Sequence, residues 1–309
     1  MFEQEICEHF LKRTPWDEVP KKFKKKTKVT AGGWGGYNQN LQPPDGTPVL
    51  IYESRCLRSY ARWDMAWFTE DGKTVIVNGD ASPSKQTTIQ RDALFRALQS
   101  LGIRHTTVPF STLRTASLRP ENLRVLDIKP DFALEHKRVI KGEVVTRMRH
   151  FLGECLLADE RNRAFLSGLD RNDDPQKRMY YLCRLPTLPF VKTVDEALES
   201  LRPDYVRVGT PRQGEWFFVP QPGLKLKSIG KSAIVSDMAD GQWNDLRRLH
   251  ARRHVASSLA LYSGGVYVKG TITDAEHSML RLGSVWHKVE GNRAIQGWRY
   301  EGKGGARVD

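Results

Sequence analysis

Arg212-Gln213-Gly214-Glu215-Trp216-Phe217-Phe218-Val219-Pro220 opens the last third of the chain. Four polar or turn-forming residues run straight into four apolar ones, and a proline closes the run. An apolar run this short, bounded by turn residues, predicts a buried strand. Downstream, residues 259–262 and 266–271 flank Ser263-Gly264-Gly265, a hairpin signal. Residues 285–289 and 295–300 read as further strands. Residues 206–301 are therefore expected to form a small β-rich domain, barrel- or sandwich-like, with a polar tail over 302–309.

Upstream, the chain mixes helices and strands. Residues 2–13 carry Phe2, Ile6, Phe10 and Leu11 on one helical face, and Pro15 and Pro20 stop the helix. Val49-Leu50-Ile51-Tyr52 is a short strand. From Arg62 to Phe68 the residues alternate, with Trp63, Met65 and Trp67 on one side. Asp71-Gly72 turns the chain into a partner strand at 74–77. Residues 87–101 show helical spacing, with Gly102 at the position just past the helix end. A strand follows at 103–108. Residues 125–140 suggest a second hairpin turning near Asp131, and 143–157 a helix burying Val144, Val145, Met148, Phe151, Leu152, Cys155 and Leu156. Residues 179–185 read as a strand. Thr193-Val194-Asp195-Glu196 is a capping box that starts a helix through Leu201. The expected fold class is α+β, with an arm at 1–45, a mixed α/β domain at 46–205, and a boundary in the stretch 202–211.

Charge narrows the choice of partner. Lys plus Arg outnumber Asp plus Glu by 49 to 36, a formal charge of +13. Such a protein attracts polyanions, nucleic acid before an anionic membrane surface. Four scattered cysteines (Cys7, Cys56, Cys155, Cys183) form neither a disulfide framework nor a zinc ribbon, and fit reduced thiols in a cytoplasmic protein. No apolar run reaches membrane-spanning length, and the acidic N-terminus does not read as a signal peptide.

Four places could carry chemistry. The first is the histidine set: His250, His254, His277 and His287 are half of the chain's eight. With a carboxylate such as Asp274 or Glu276 they could hold a divalent metal ion, or two could act as acid and base on a phosphodiester. The plain alternative is surface or core histidines in a phosphate-binding domain, because neither H-x-H nor H-E-x-x-H spacing occurs. The second is the basic arm Lys21, Lys22, Lys24, Lys25 and Lys26. It leads into a glycine-rich loop bearing Trp34 and Tyr37, a combination suited to phosphates and stacked bases. The third is Ser82, Ser84 and Lys85 ahead of a helix. This resembles a phosphate seat, but lacks the Gly-Lys-Ser/Thr of nucleotide hydrolases. The fourth is Asp127, Glu135 and Lys137, which the 125–140 hairpin would bring to one face as in PD-(D/E)xK nucleases, or as an ordinary surface ion-pair ladder.

The Arg212–Phe218 stretch resembles the R-Q-G-[DE] strand of a family of bacterial and archaeal proteins with no assigned function. His254-Val255-Ala256, Val266-Tyr267-Val268-Lys269-Gly270, Glu276-His277 and Trp286-His287 resemble short blocks of the same family, as do residues 165–185 and 193–201. The resemblance implies a layout and no activity.

Together these features predict a two-domain nucleic-acid-binding protein, RNA preferred over single-stranded DNA, with Arg247, Arg248, Arg252 and Arg253 adding phosphate contacts. No cofactor is required, although the histidines could take a divalent metal. The alternatives are a metal-dependent or histidine-based nuclease, and a structural subunit of a ribonucleoprotein or phage assembly. No motif decides whether the protein is an enzyme.

Overall fold

The computed structural model describes residues 2–24, 49–60, 63–80, 85–130, 132–140, 143–151, 153–169, 180–186, 191–214, 216–234, 254–274, 277–294, 296–300 and 306–308. The fold is α+β, and the chain divides into two compact units. The first holds residues 1–128, 155–163 and 298–308; the second holds 129–154, 164–297 and 309. The stretch 202–211 lies inside the second unit.

In the first unit, helix α1 (Phe2–Leu11) precedes strands β1 (Leu50–Glu53), β2 (Cys56–Ser59), β3 (Trp63–Phe68) and β4 (Val75–Asn78). These form an antiparallel meander. Helix α2 (Lys85–Ser100) then returns the chain to β5 (His105–Val108), which pairs parallel to β4. The core joins Ile6 and Phe10 of α1, Leu94 and Leu98 of α2, and Leu57, Met65, Phe68 and Val77 of the sheet. The β3–β4 turn has the anticipated chemistry: Asp71 Oδ1 accepts from Thr69 Oγ1 (2.6 Å) and Lys73 N (3.0 Å), and Gly72 has φ +65°. Gly102 (φ +63°) ends α2, with its N–H on Gln99 O and that of Ile103 on Leu98 O, a Schellman cap.

Strict alternation in β3 does not hold. The β2–β3 register shifts between Leu57 and Arg58, so Met65 and Ala66 are both buried. Trp67 instead sends Nε1 to Asp64 Oδ2 (3.4 Å) and lies beneath Arg58. A bulge inserts one residue and reverses the facing of the residues beyond it.

Helix α3 (Phe110–Thr115) and strand β6 (Arg124–Ile128) complete the first stretch of this unit. Here two expectations are corrected. Residues 125–140 are not a hairpin, and 143–157 are not a helix. Strands β7 (Phe132–Ile140) and β8 (Glu143–Phe151) pair antiparallel from Phe132↔Phe151 to Ile140↔Glu143, while β6 pairs with β9 (Cys155–Ala158). The β-branched run Val144-Val145-Thr146 favours a strand although its apolar spacing also fits a helix. Gly153 marks the break after β8: a Cβ there would lie 1.9 Å from Lys129 O, and Lys129 N–H donates to Glu154 O (2.8 Å).

In the second unit β10 (Ala164–Leu169) pairs with β11 (Tyr180–Arg184). Helix α4 (Val194–Ser200) carries the anticipated capping box, with Thr193 Oγ1 accepting from Glu196 N (3.2 Å) and Glu196 Oε2 accepting from Thr193 N (3.1 Å). The rest is a six-stranded antiparallel sheet. Its strands are β12 (Arg212–Gln213), β13 (Trp216–Gln221), β14 (Ser232–Ala233), β15 (Val255–Tyr262), β16 (Gly265–Thr273) and β17 (Leu280–Gly291), in the order β12-β13-β17-β16-β15-β14. One face packs Phe218, Ile234, Ala256, Leu259, Val268, Ile272 and Leu282. The predicted polar tail, where residues 298–308 belong to the first unit, is partly a strand: β19 (Ala306–Val308) pairs with β18 (Gln296–Tyr300).

Candidate functional site

Strand β12 (Arg212–Gln213) and the turn that begins at Gly214 reach the chain beside His277. Gln213 pairs with Trp216, so two residues connect β12 to β13. Gly214 takes φ +58°, a left-handed value suited to glycine, and Arg212 Nε donates to its carbonyl (2.9 Å). Gln213, buried to 1% exposure, donates Nε2 to Ser278 O at 2.6 Å and so braces the residue after His277. Nothing in the sequence announces this brace, because a lone glutamine gives no sign of its tertiary partner.

Two of the histidines converge. Val255↔Thr273 is the last register pair of β15 and β16, which leaves His254 and Asp274 as neighbours just beyond the ladder. Asp274 Oδ1 accepts from His277 N (3.2 Å) and lies 2.8 Å from His277 Nδ1. The rings of His254 and His277 have centroids 5.0 Å apart at 35°. One ligand atom from each of His254, Asp274 and His277 falls within 4.8 Å of the others, so the group could hold a metal ion. The side chains of His277 and Asp274 are only 2% and 4% exposed.

His287 does not join this group among the described residues. It faces Val268 across β16–β17, and its Nδ1 lies 2.9 Å from Val285 O. Burial holds its pKa below the ordinary imidazole value, against a smaller opposing pull from that carbonyl. His250 and Glu276 lie outside the described residues, as do Arg247, Arg248, Arg252 and Arg253.

The opposite face of the sheet carries a second arrangement. Ala260, Tyr267 and Trp286 form a small buried cluster covered by Leu224 and Leu226. These leucines alternate with Lys225 and Lys227, which are exposed. The same strap continues onto the edge of β15, where Ile229 N–H donates to Leu259 O and Leu259 N–H to Gly230 O. Lys269 Nζ sits 4.6 Å above the Trp286 ring. Tyr262, 51% exposed, packs edge-on against Tyr267 at 6.1 Å. Lys288 is already engaged, with Nζ 2.6 Å from Glu290 Oε1.

Among the described residues, Asp127, Glu135 and Lys137 do not come together as the predicted set. Asp127 pairs with Leu156 and Glu135 with Met148, so the expected cross-strand partnership of the two acids is absent; Lys137 pairs with Thr146. Lys21 and Lys22 are exposed in a short 3-10 turn, and Lys22 Nζ lies 4.7 Å from the Phe23 ring. Lys24 folds back over Trp16 and donates to Asp17 O at 3.3 Å. Lys25, Lys26, Trp34, Tyr37, Ser82 and Ser84 lie outside the described residues; Lys85 begins α2. No helix among the described residues is long and apolar enough to cross a membrane.

Comparison of the chain with protein-family models, with curated proteins and with solved structures finds no match.

Proposed function

We propose that the protein binds single-stranded nucleic acid, RNA in preference to DNA, in a reducing, cytoplasmic setting. One observation carries the reading: the face of the C-terminal sheet that presents Lys225, Lys227 and Lys269 together with Tyr262, in a chain of net charge +13. The lysines supply phosphate contacts, and Tyr262 supplies a ring on which a base can stack without sequence preference. The lysines on the strap alternate with leucines packed on the sheet, so they present charge from an anchored backbone. Four buried cysteines scattered along the chain fit the reducing compartment.

Phosphodiester cleavage has less support. A substrate would have to reach His254 and His277, which are 4% and 7% exposed.

Fluorescence anisotropy with a labelled single-stranded RNA of about twenty nucleotides tests the reading. Exchanging Lys225 and Lys227 together for alanine should weaken binding at least about tenfold, and Tyr262→Ala should cost about 1–3 kcal/mol of affinity. Wild-type affinity retained in both variants would overturn the assignment of this face.

A further inference from the structure

We infer that His254, Asp274 and His277 form a structural binding site for one first-row divalent transition metal ion of the Zn2+ type, tying the ends of β15 and β16 to the start of β17. The inference is independent of the nucleic-acid reading, which concerns the other face of the sheet.

The donor set selects the class of ion. Two imidazoles and one carboxylate lie with one ligand atom each inside a 4.8 Å span. Imidazole nitrogen suits zinc, copper, nickel and iron, whereas Ca2+ and Mg2+ call for shells of oxygen. Thiolate takes no part in the group, because the four cysteines are buried elsewhere.

Burial selects the role. With His277 and Asp274 side chains almost fully covered, the site is closed rather than open to substrate. Three protein ligands leave the fourth tetrahedral position to a water molecule, and with so little exposure the ion's assigned role is cross-linking rather than turnover of a bulky substrate.

The surroundings fix the ligands beforehand. Asp274 is oriented by accepting from the His277 backbone N–H, and its carboxylate lies against His277 Nδ1, an arrangement that orients a ligating imidazole. Gln213 steadies the chain immediately after His277 through Ser278 O. His254 is held from its other side, since its carbonyl accepts from Ile234 N at 2.8 Å. Two chain segments, the start of β15 and the stretch 274–277, thus meet at one point, where an ion would cross-link them.

The experiment uses the full chain, stripped of metal by chelator and dialysis. Zn2+ is titrated by calorimetry, and Co2+ by its visible absorption, which reports nitrogen and oxygen ligation directly. The wild type should bind one equivalent, melt at a higher temperature with Zn2+, and give a Co2+ spectrum. His254→Ala and His277→Ala should each weaken binding at least about tenfold. His287→Ala, which alters a buried histidine outside the group, should bind as the wild type does. Should either alanine variant fail to fold, Asp274→Asn and the wild-type Co2+ spectrum take its place. No saturable binding by the wild type, or equal binding by the His254 and His277 variants, would overturn the site.

Discussion

His254 and His277 stack their rings 5.0 Å apart although the whole β15–β16 hairpin separates them in the chain. The hairpin itself makes the meeting. Its open end places His254 beside Asp274, and the contact of Asp274 Oδ1 with His277 Nδ1 brings the second ring against the first. The site is thus a consequence of strand register, and whatever fixes that register also fixes the site.

Register here depends on a paired irregularity. Both strands bulge at the same level, between Ala256 and Ser258 and around Gly270. Ser257 Oγ accepts from Thr271 N (2.9 Å) and donates to Lys269 O (3.2 Å), filling the space beside Gly270. A Cβ on Gly270, where φ is +85°, would lie 2.2 Å from that oxygen. Gly270→Ala should therefore destabilise the protein by about 1–3 kcal/mol. Urea denaturation measures this, and an unchanged midpoint would show that the bulge yields freely.

His287 gives the fold a pH dependence of known sign. Burial lowers its folded pKa, while the unfolded chain takes up the proton at the ordinary value of about 6.5. Between those two values unfolding binds a proton, so stability falls as pH drops through about 6.5, and the contribution is whole above it. Melting temperatures at pH 7.5 and 5.5 should fall further for the wild type than for His287→Asn. Equal falls would remove His287 as the cause.

The thiols should be inert in the native protein. All four cysteines are buried. Burial raises the pKa of Cys7 and Cys56 far above the ordinary thiol range and pushes that of Cys183 up to about 12. A thiol reagent should modify none of them in buffer and four in denaturant, because only the thiolate reacts. Rapid native labelling of any one would contradict the packing around it.

Legibility in the sequence followed how local each signal was. The β3–β4 turn, the Gly102 cap and the Thr193 capping box were readable because a few adjacent residues suffice to make them. The β7–β8 hairpin was not. Val144, Val145, Met148 and Phe151 satisfy helical spacing as well as a strand, and only pairing with 132–140 decides between them. The same holds for the site. His254 and His277 stood out by residue type and Asp274 was one of two candidate acids, but their convergence and the Gln213 brace come from register and tertiary contact. Asp127 and Glu135 failed as a pair for the converse reason, since the turn assumed between them does not exist.

The central claim is that this chain holds single-stranded nucleic acid through lysine–phosphate contacts. Its most direct test is the association constant for single-stranded RNA across a range of salt concentrations. With Lys225, Lys227 and Lys269 engaged, log K should fall against log salt with a slope of about −2 or steeper, since each phosphate contact on a single strand contributes about −0.7. A slope near zero, or no binding at low salt, would contradict the account.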